Sequence, residues 1–207
     1  GGNHPKVGPV LIIWSARPTS GPKAPPGKYQ VRFIAEDYEQ TYPFEIKMDP
    51  NLKGITVADL EEQFELAMNI RNKTTLANEA VIDIRAIKAH LHNQLSGGDH
   101  AELGASAEVL TEKLSAIEEE LYQVRNQSNQ DPLNFPIKLN NRLASLRRSL
   151  ENGDARPTNG AYQVFEELSK ELDVHLNNLK GVINNDLPKV NQLLKQSNLE
   201  EVKTSKP

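Results

Sequence analysis

The chain has 207 residues, no cysteine and a formal net charge of −4, and 37% of its residues are hydrophobic. This length suits one large domain or a small domain beside a medium one, and the missing cysteine excludes disulfides, thiolate metal ligands and a cysteine nucleophile. A mildly acidic chain has no general attraction for nucleic acid, and no apolar run approaches the roughly 20 residues that span a bilayer, so we expect neither partner.

Residues 1–50 differ from the rest of the chain, because they hold most of its prolines and show little helical periodicity. Residues 7–14 form a short apolar run that predicts a strand. A turn at residues 36–39 separates two stretches in which apolar residues alternate with polar ones, as in half-buried strands. The alternating residues are Tyr29, Val31 and Phe33, then Tyr42, Phe44, Ile46 and Met48.

This β segment has about three strands, whereas an Ig-like sandwich needs about seven, so we predict a short and incomplete Ig-like sheet. A small sheet is only marginally stable unless one face is packed. We expect it to lean on the helices through one face and to leave an edge strand unpaired. Because unpaired edges invite pairing with another chain, the sheet could also join two copies as a homodimer.

From residue 56 the apolar residues recur at the helical period. Thr56 and Asp59 form a capping-box variant that opens a long helix, which should end near Ser96 before two glycines. A second helix should start near Asp99 and carry a regular seam of apolar residues at steps of four and three. The seam comprises Leu103, Ala107, Leu110, Leu114, Ile117, Leu121 and Val124.

Two further helices follow a polar loop. Pro136 suits the first turn of the third helix, which should end near Gly153. The fourth helix should open at residues 157–158 and contain Pro188. Since proline lacks a backbone N–H and clashes with the preceding turn, we expect a kink or a restart of the helix near Asp186.

Four amphipathic helices joined by short loops most simply form an antiparallel bundle. We therefore predict a mainly α fold with a small β part: the β segment at residues 1–50, a four-helix bundle at 51–200 and a frayed tail at 201–207. The seams predict one shared core that includes Leu110, Leu114, Leu143, Leu146, Phe165 and Leu172.

Histidines are the first candidates for chemistry, because His90, His92, Asp99 and His100 lie close together in the sequence. On a helix, however, His90 and His92 point about 200° apart and cannot share a metal ion. No histidine follows a glutamate at the Glu-x-x-His spacing that bundle metal sites use. We therefore predict no metal and no cofactor.

Two acidic runs, residues 118–120 and 166–167, resemble paired catalytic carboxylates at first sight. Consecutive helical residues fan out by about 100° each, so we interpret both runs as charged outer faces. The sequence also lacks the G-x-S-x-G, H-E-x-x-H, Walker and G-x-G-x-x-G patterns. We predict no catalytic residue and expect that this chain is not an enzyme.

One stretch places several amides beside an apolar seam. Asparagine is a poor residue inside a helix, so Asn140 and Asn141 should hydrogen-bond something specific, either the backbone of a neighbouring loop or a partner protein. The candidate interaction residues are Asn134, Phe135, Asn140, Asn141 and Arg142.

Three stretches together carry a family resemblance: residues 24–32 (APPGKYQVR), residues 131–141 (DPLNFPIKLNN) and residues 161–168 (AYQVFEEL). They resemble the C-terminal region of large bacterial secreted proteins that carry sortilin-like β-propellers with Asp-box, neuraminidase-type repeats and are often labelled glycosyl-hydrolase-like. The first stretch is also similar to the closing strands of bacterial Ig-like modules. The resemblance implies an exported parent, periplasmic or extracellular, whose propeller precedes this region.

Three functional hypotheses follow. The leading one is a non-catalytic structural or interaction module that braces or caps the propeller or docks a partner. The second is an accessory domain that contributes residues to a glycan-cleaving site of the parent, which requires two carboxylates about 5–9.5 Å apart. The third is a helical module that binds a peptide or protein in an exposed apolar groove.

Overall fold

A computed structural model describes residues 21–96, 100–125 and 135–204 of the chain. The strand predicted at residues 7–14 lies outside them. The described part is mainly helical with one small two-stranded antiparallel sheet. In chain order its elements are β1 (Gly27–Ala35), β2 (Tyr38–Ile46), α1 (Val57–Leu95), α2 (Ala101–Leu121), α3 (Leu139–Leu150), α4 (Asn159–Asn185) and α5 (Leu187–Gln196).

The two strands form a hairpin, as the alternating pattern predicts. Tyr29 lies opposite Phe44, and Val31 lies opposite Tyr42. The turn is shorter than the predicted four residues, because β2 already begins at Tyr38. A two-residue hairpin loop fits the twist of its strands when the first residue has a positive φ, and Glu36 adopts a φ of 50°.

The long first helix begins where the capping box predicts it. The Thr56 hydroxyl accepts a hydrogen bond from the Asp59 backbone N–H at 3.2 Å, and the Asp59 carboxylate accepts one from the Thr56 N–H at 2.8 Å. These two bonds satisfy backbone N–H groups at the start of the helix, where no preceding turn supplies a carbonyl acceptor. The 39 residues of α1 extend over about 60 Å.

The connection between α2 and α3 starts earlier and ends later than the sequence suggests. The seam predicts helix as far as Val124, but α2 ends at Leu121 and Val124 is exposed. The buried Gln123 amide then donates to the Pro136 carbonyl at 2.8 Å, which joins the two sides of the connection. Pro136 therefore precedes α3, which begins at Leu139, instead of forming its first turn.

The break between α4 and α5 lies where Pro188 predicts it. Asp186 separates the two helices, and Pro188 lies in the first turn of α5, where its missing N–H costs no hydrogen bond. At the other end of α4, the Thr158 hydroxyl caps the helix by accepting from the Ala161 N–H at 3.2 Å.

All five helices contribute to one hydrophobic core. α1 packs against α2, α3 and α4, while α5 packs against α2 and α4. Four of the six predicted core residues are buried, and two are half-buried against the same core. The buried ones are Leu110, Leu114, Leu143 and Leu172, and the half-buried ones are Leu146 and Phe165.

The end of the chain departs from the frayed tail that we predicted at residues 201–207. Val202 is only 6% exposed and belongs to the core. Its backbone N–H and carbonyl both bond to the Asn191 side chain. This segment is short and polar, which suggested fraying. The buried Val202 side chain and the two hydrogen bonds between its backbone and Asn191 nevertheless hold the segment in place as far as Val202.

The sheet also departs from its predicted position. Within the described residues, the strands contact each other and no helix, so the sheet does not lean on the helical core. The segment before β1 contacts the turn that follows α3. There the Lys23 N–H donates to the Glu151 carboxylate at 2.9 Å, and the Lys23 ammonium pairs with Asp154 at 3.1 Å.

Candidate functional site

One face of the hairpin is aromatic and exposed to solvent. Directly opposed residues of an antiparallel pair point to the same side, so the register sorts the side chains into two faces. Phe33 is 56% exposed, and Tyr42 and Phe44 are each almost half exposed. We call this surface the aromatic face; it consists of Tyr29, Val31, Phe33, Tyr38, Tyr42 and Phe44.

The opposite face of the hairpin is mostly polar. An ion pair between Arg32 and Glu39, 2.6 Å apart, crosses the two strands there. Ile34 is the one large apolar side chain on this face and is 62% exposed. The two faces therefore differ in chemistry, and an aqueous environment suits only the polar one.

Several contacts order the aromatic face in advance of any partner. The rings of Tyr29 and Phe44 stack with centroids 5.7 Å apart, and Phe33 and Tyr38 meet edge-on at 6.1 Å. The Tyr29 hydroxyl donates to the Pro25 carbonyl at 2.7 Å. A side-chain hydrogen bond with Tyr38 raises the pKa of Tyr42. A partner would thus meet a largely formed surface, which lowers the entropic cost of binding.

The hairpin is also incomplete as a sheet. With two strands, each strand has one edge whose backbone groups pair with no other strand of the described residues. An isolated two-stranded hairpin is at best marginally stable in water. A clustered aromatic surface of this kind, bordered by polar residues, is typical of a protein interaction site.

The histidines in the described part of the chain do not gather into a metal site. Among the described residues, no group of three or more His, Asp or Glu side chains is placed to hold a metal ion. His90 instead hydrogen-bonds the Glu200 carbonyl at 2.8 Å, and His92 is exposed. His100 precedes α2 without capping it through its side chain, and Asp99 lies outside the described residues.

Glu118 corrects the interpretation of its acidic run as an outer face. This carboxylate is only 4% exposed and accepts from Arg85 Nε and from Lys88 Nζ, the latter at 3.0 Å. Lys88 also donates to the Ser115 hydroxyl at 2.7 Å. The Arg85 guanidinium lies over the Tyr122 ring, 4.9 Å from its centroid. The group is a polar connection between α1 and α2.

A second carboxylate outside the predicted runs also connects two helices. Glu62 of α1 accepts from the Tyr162 hydroxyl of α4 at 2.8 Å through one oxygen, and from Arg156 at 2.8 Å through the other. Burial and the hydrogen bond to Glu62 raise the pKa of Tyr162 to about 12. Both oxygens of Glu62 are therefore engaged, and the carboxylate joins α1 to α4 and to the loop that precedes it.

Carboxylates do not converge in three clefts of the described residues either. One cleft of about 380 Å³ lies beside Gln63 at the α3–α4 junction, and Arg156 is its only charged lining residue. Two others, one between α2 and α5 and one at the hairpin, are lined by Asp186 and Glu45 respectively. Cleavage of a glycan by two carboxylates needs a pair, and none of these three clefts supplies one.

Asn140 and Asn141 are both buried, so they do not form an accessible surface. The Asn140 Nδ2 group donates to the Asn78 side chain at 3.3 Å, which links α3 to α1 through two side chains, not through the loop backbone. The Asn140 Oδ1 atom has no hydrogen-bond partner among the described residues.

The remaining candidate interaction residues are dispersed. Arg142 is exposed and holds both carboxylate oxygens of Glu171 on α4, at 2.9 and 2.8 Å. Phe135 is half-buried under the Arg125 guanidinium, 5.8 Å from its ring centroid. Asn134 lies outside the described residues. The alternating residues of the strands predicted a sheet but no functional site. They nevertheless form the aromatic face, which the candidate residues from the sequence did not include.

No helix in residues 21–96, 100–125 or 135–204 has both the length and the apolar character to cross a membrane. Comparisons with family models, curated proteins and solved structures find no match for this chain. The resemblance to propeller-bearing secreted proteins therefore stays a prediction made from the residues alone.

Proposed function

We propose that this chain is a non-catalytic interaction module of a larger exported bacterial protein. In this proposal the helices form an antiparallel four-helix bundle, and the hairpin docks onto a β-rich region that precedes it in the parent, next to the propeller. The exposed aromatic face carries the proposal, because it gathers five large, exposed hydrophobic side chains on one side of the hairpin.

The helical part supplies a stable support in this proposal. Its apolar seams meet in one core, and its buried polar groups, such as Glu118 and Asn140, connect one helix to the next. The ion pairs Lys73–Asp173 and Arg142–Glu171 also join one helix to another. We assign the docking role to the hairpin because its two strands contact no helix of the described chain.

The occupant that we favour is a β-rich segment upstream in the parent. Strand addition would satisfy the free edge of the hairpin, and a facing sheet would cover its aromatic face. The similarity of residues 24–32 to the closing strands of Ig-like modules supports this choice, since closing strands need the earlier strands of their module. The implied location is periplasmic or extracellular, as for the propeller proteins.

Binding between separately produced parts of the parent tests this function. The present chain is titrated with the region that precedes it, and the heat of binding is measured. Phe33→Ser and Tyr42→Ser should each weaken binding at least tenfold, because large aromatic side chains dominate interface affinity. Ile34→Ser removes a similar apolar side chain from the opposite face of the hairpin and should leave affinity unchanged.

Two results would contradict the proposal. One is binding that both aromatic-face variants leave intact. The other is a homodimer of the isolated chain, detected by sedimentation, that Phe33→Ser dissociates while the upstream region fails to bind. The second result would make another copy of this chain the occupant of the hairpin.

A further inference from the structure

The C-terminal segment, residues 199–204, lies against the helices like a bound peptide. After α5, Asn198 adopts a positive φ of 55°, which turns the chain back on itself, and the Leu199 N–H caps α5 by donating to the Leu194 carbonyl at 2.9 Å. Asparagine tolerates this left-handed conformation better than most residues. The segment that follows has no regular secondary structure of its own.

Side chains of two helices bind the backbone of this segment. Asn191 of α5 acts at both ends of its amide: Nδ2 donates to the Val202 carbonyl at 3.0 Å, and Oδ1 accepts from the Val202 N–H at 2.9 Å. From α1, the His90 ring contacts the Glu200 carbonyl at 2.8 Å, and Gln94 Oε1 accepts from the Glu200 N–H at 3.3 Å. These contacts bind backbone groups, so they suit many sequences.

Aliphatic side chains supply the selectivity. Val202 is buried in the core, and Leu199, three positions earlier, packs against the same core. Glu200 and Glu201 between them are exposed. The groove therefore recognises two aliphatic side chains three positions apart, while the two positions between them face solvent and admit polar side chains.

The helices leave room for such a segment. Among the described residues, α1 and α5 do not pack directly against each other, although both pack against α2 and α4. Residues 199–202 lie between the end of α1 and α5 and contact both. Without them, the side of the core near Val202 would be open to water.

We propose that the groove between α1 and α5 is a peptide-binding site that the chain's own C-terminal segment occupies and thereby blocks. Its ligand is a peptide with two aliphatic side chains three positions apart and polar residues between them, bound through Asn191, His90 and Gln94. A partner that carries such a segment binds when it displaces the chain's own copy. This site is separate from the aromatic face, so its test is independent of the proposed function.

Titration of the full-length chain with a fluorescent peptide of the sequence NLEEVKT, which matches residues 198–204, tests the site. In the variant Val202→Asp the chain's own segment carries a charge that does not fit the core, so the groove should be open. We expect this variant to bind the peptide at least tenfold more tightly than the unaltered chain. Lys203→Asp, which introduces the same aspartate side chain at an exposed neighbour, should bind as weakly as the unaltered chain.

Two further changes identify the contacts. Adding Asn191→Ala to Val202→Asp should weaken peptide binding at least tenfold, because the hydrogen bonds to the backbone N–H and carbonyl of the peptide's valine are lost. The peptide NLEEDKT should not bind at all. If Val202→Asp prevents folding, judged by the circular dichroism of its helices, Val202→Ser replaces it in the same titration.

The proposal is wrong if the folded Val202 variants bind the peptide no better than the unaltered chain. It is also wrong if binding is strong but indifferent to Asn191→Ala. Either result would leave the C-terminal segment a purely structural closure of the core.

Discussion

The hairpin and the helical part differ in how far their apolar side chains are shielded from water. Both are amphipathic, but Leu114 and Leu143 of the helices are fully buried, whereas Phe33 of the hairpin is 56% exposed. The helices supply enough apolar surface to cover one another, and a two-stranded hairpin does not. A pattern of apolar residues thus identifies the face that avoids water, while the partner that covers it depends on what else the chain contains.

The helical side of this comparison predicts a large loss of stability when its core is truncated. Leu114→Ala should lower the free energy of unfolding by about 2–5 kcal/mol, because it removes a fully buried side chain and leaves a cavity. Urea unfolding followed by circular dichroism measures the loss. Val109→Ala, an exposed position on the same helix, is the control, and a loss at Leu114 no larger than at Val109 would contradict the packing described here.

The buried carboxylate between α1 and α2 should have the next largest effect. Glu118→Gln should destabilise the chain by roughly 1–3 kcal/mol, because Arg85 and Lys88 lose the charge that accepts their hydrogen bonds. Glu119→Gln changes the same group on the exposed side of α2 and should change stability little. Equal losses of stability for the two substitutions in urea unfolding would show that the contacts of Glu118 with Arg85 and Lys88 do not stabilise the fold.

A smaller and pH-dependent effect should come from Tyr162. The pKa of this phenol is raised from 10.0 to about 12 in the folded chain. Between these values the unfolded chain releases the proton and the folded chain keeps it, so the contribution is complete below pH 10 and disappears as pH rises towards 12. Unfolding midpoints measured across this range should fall less steeply in Tyr162→Phe than in the unaltered chain. Parallel curves would contradict this role of the Glu62 contact.

The hairpin side should show the smallest change. Phe33→Ser should alter the free energy of unfolding of the isolated chain by less than about 0.5 kcal/mol, because this side chain has no partner among the helices. Ile34→Ser on the polar face should behave in the same way. A loss at Phe33 that approaches the loss at Leu114 would mean that the aromatic face is covered within this chain.

The local parts of the fold were predictable from the sequence, because their causes are local. The capping box at Thr56 and the break at Pro188 each depend on residues within one turn, and both lie where they were expected. The alternating residues of the hairpin likewise predicted its two strands. The core seams of the helices predicted which leucines are buried, although they do not identify which helices are neighbours.

The errors share a different cause, which is a partner far away in the sequence. Glu118 looked like part of a charged face until Arg85 and Lys88 met it from α1. Val202 looked frayed until its side chain entered the core that helices far away in the sequence build. In both cases the decisive contact depends on how the helices assemble, and no periodicity in the sequence records that arrangement.

Amide hydrogen exchange along the native chain tests most directly whether the hairpin and the helices are energetically separate. If they are separate, amides of β1 and β2 should exchange through local opening. The free energy of this opening should be small and nearly independent of denaturant concentration. Core amides such as those of Leu114 and Leu143 should exchange only through global unfolding. If the hairpin amides are as protected as the core amides and lose protection with the same dependence on denaturant, the hairpin is part of one cooperative unit and the account is wrong.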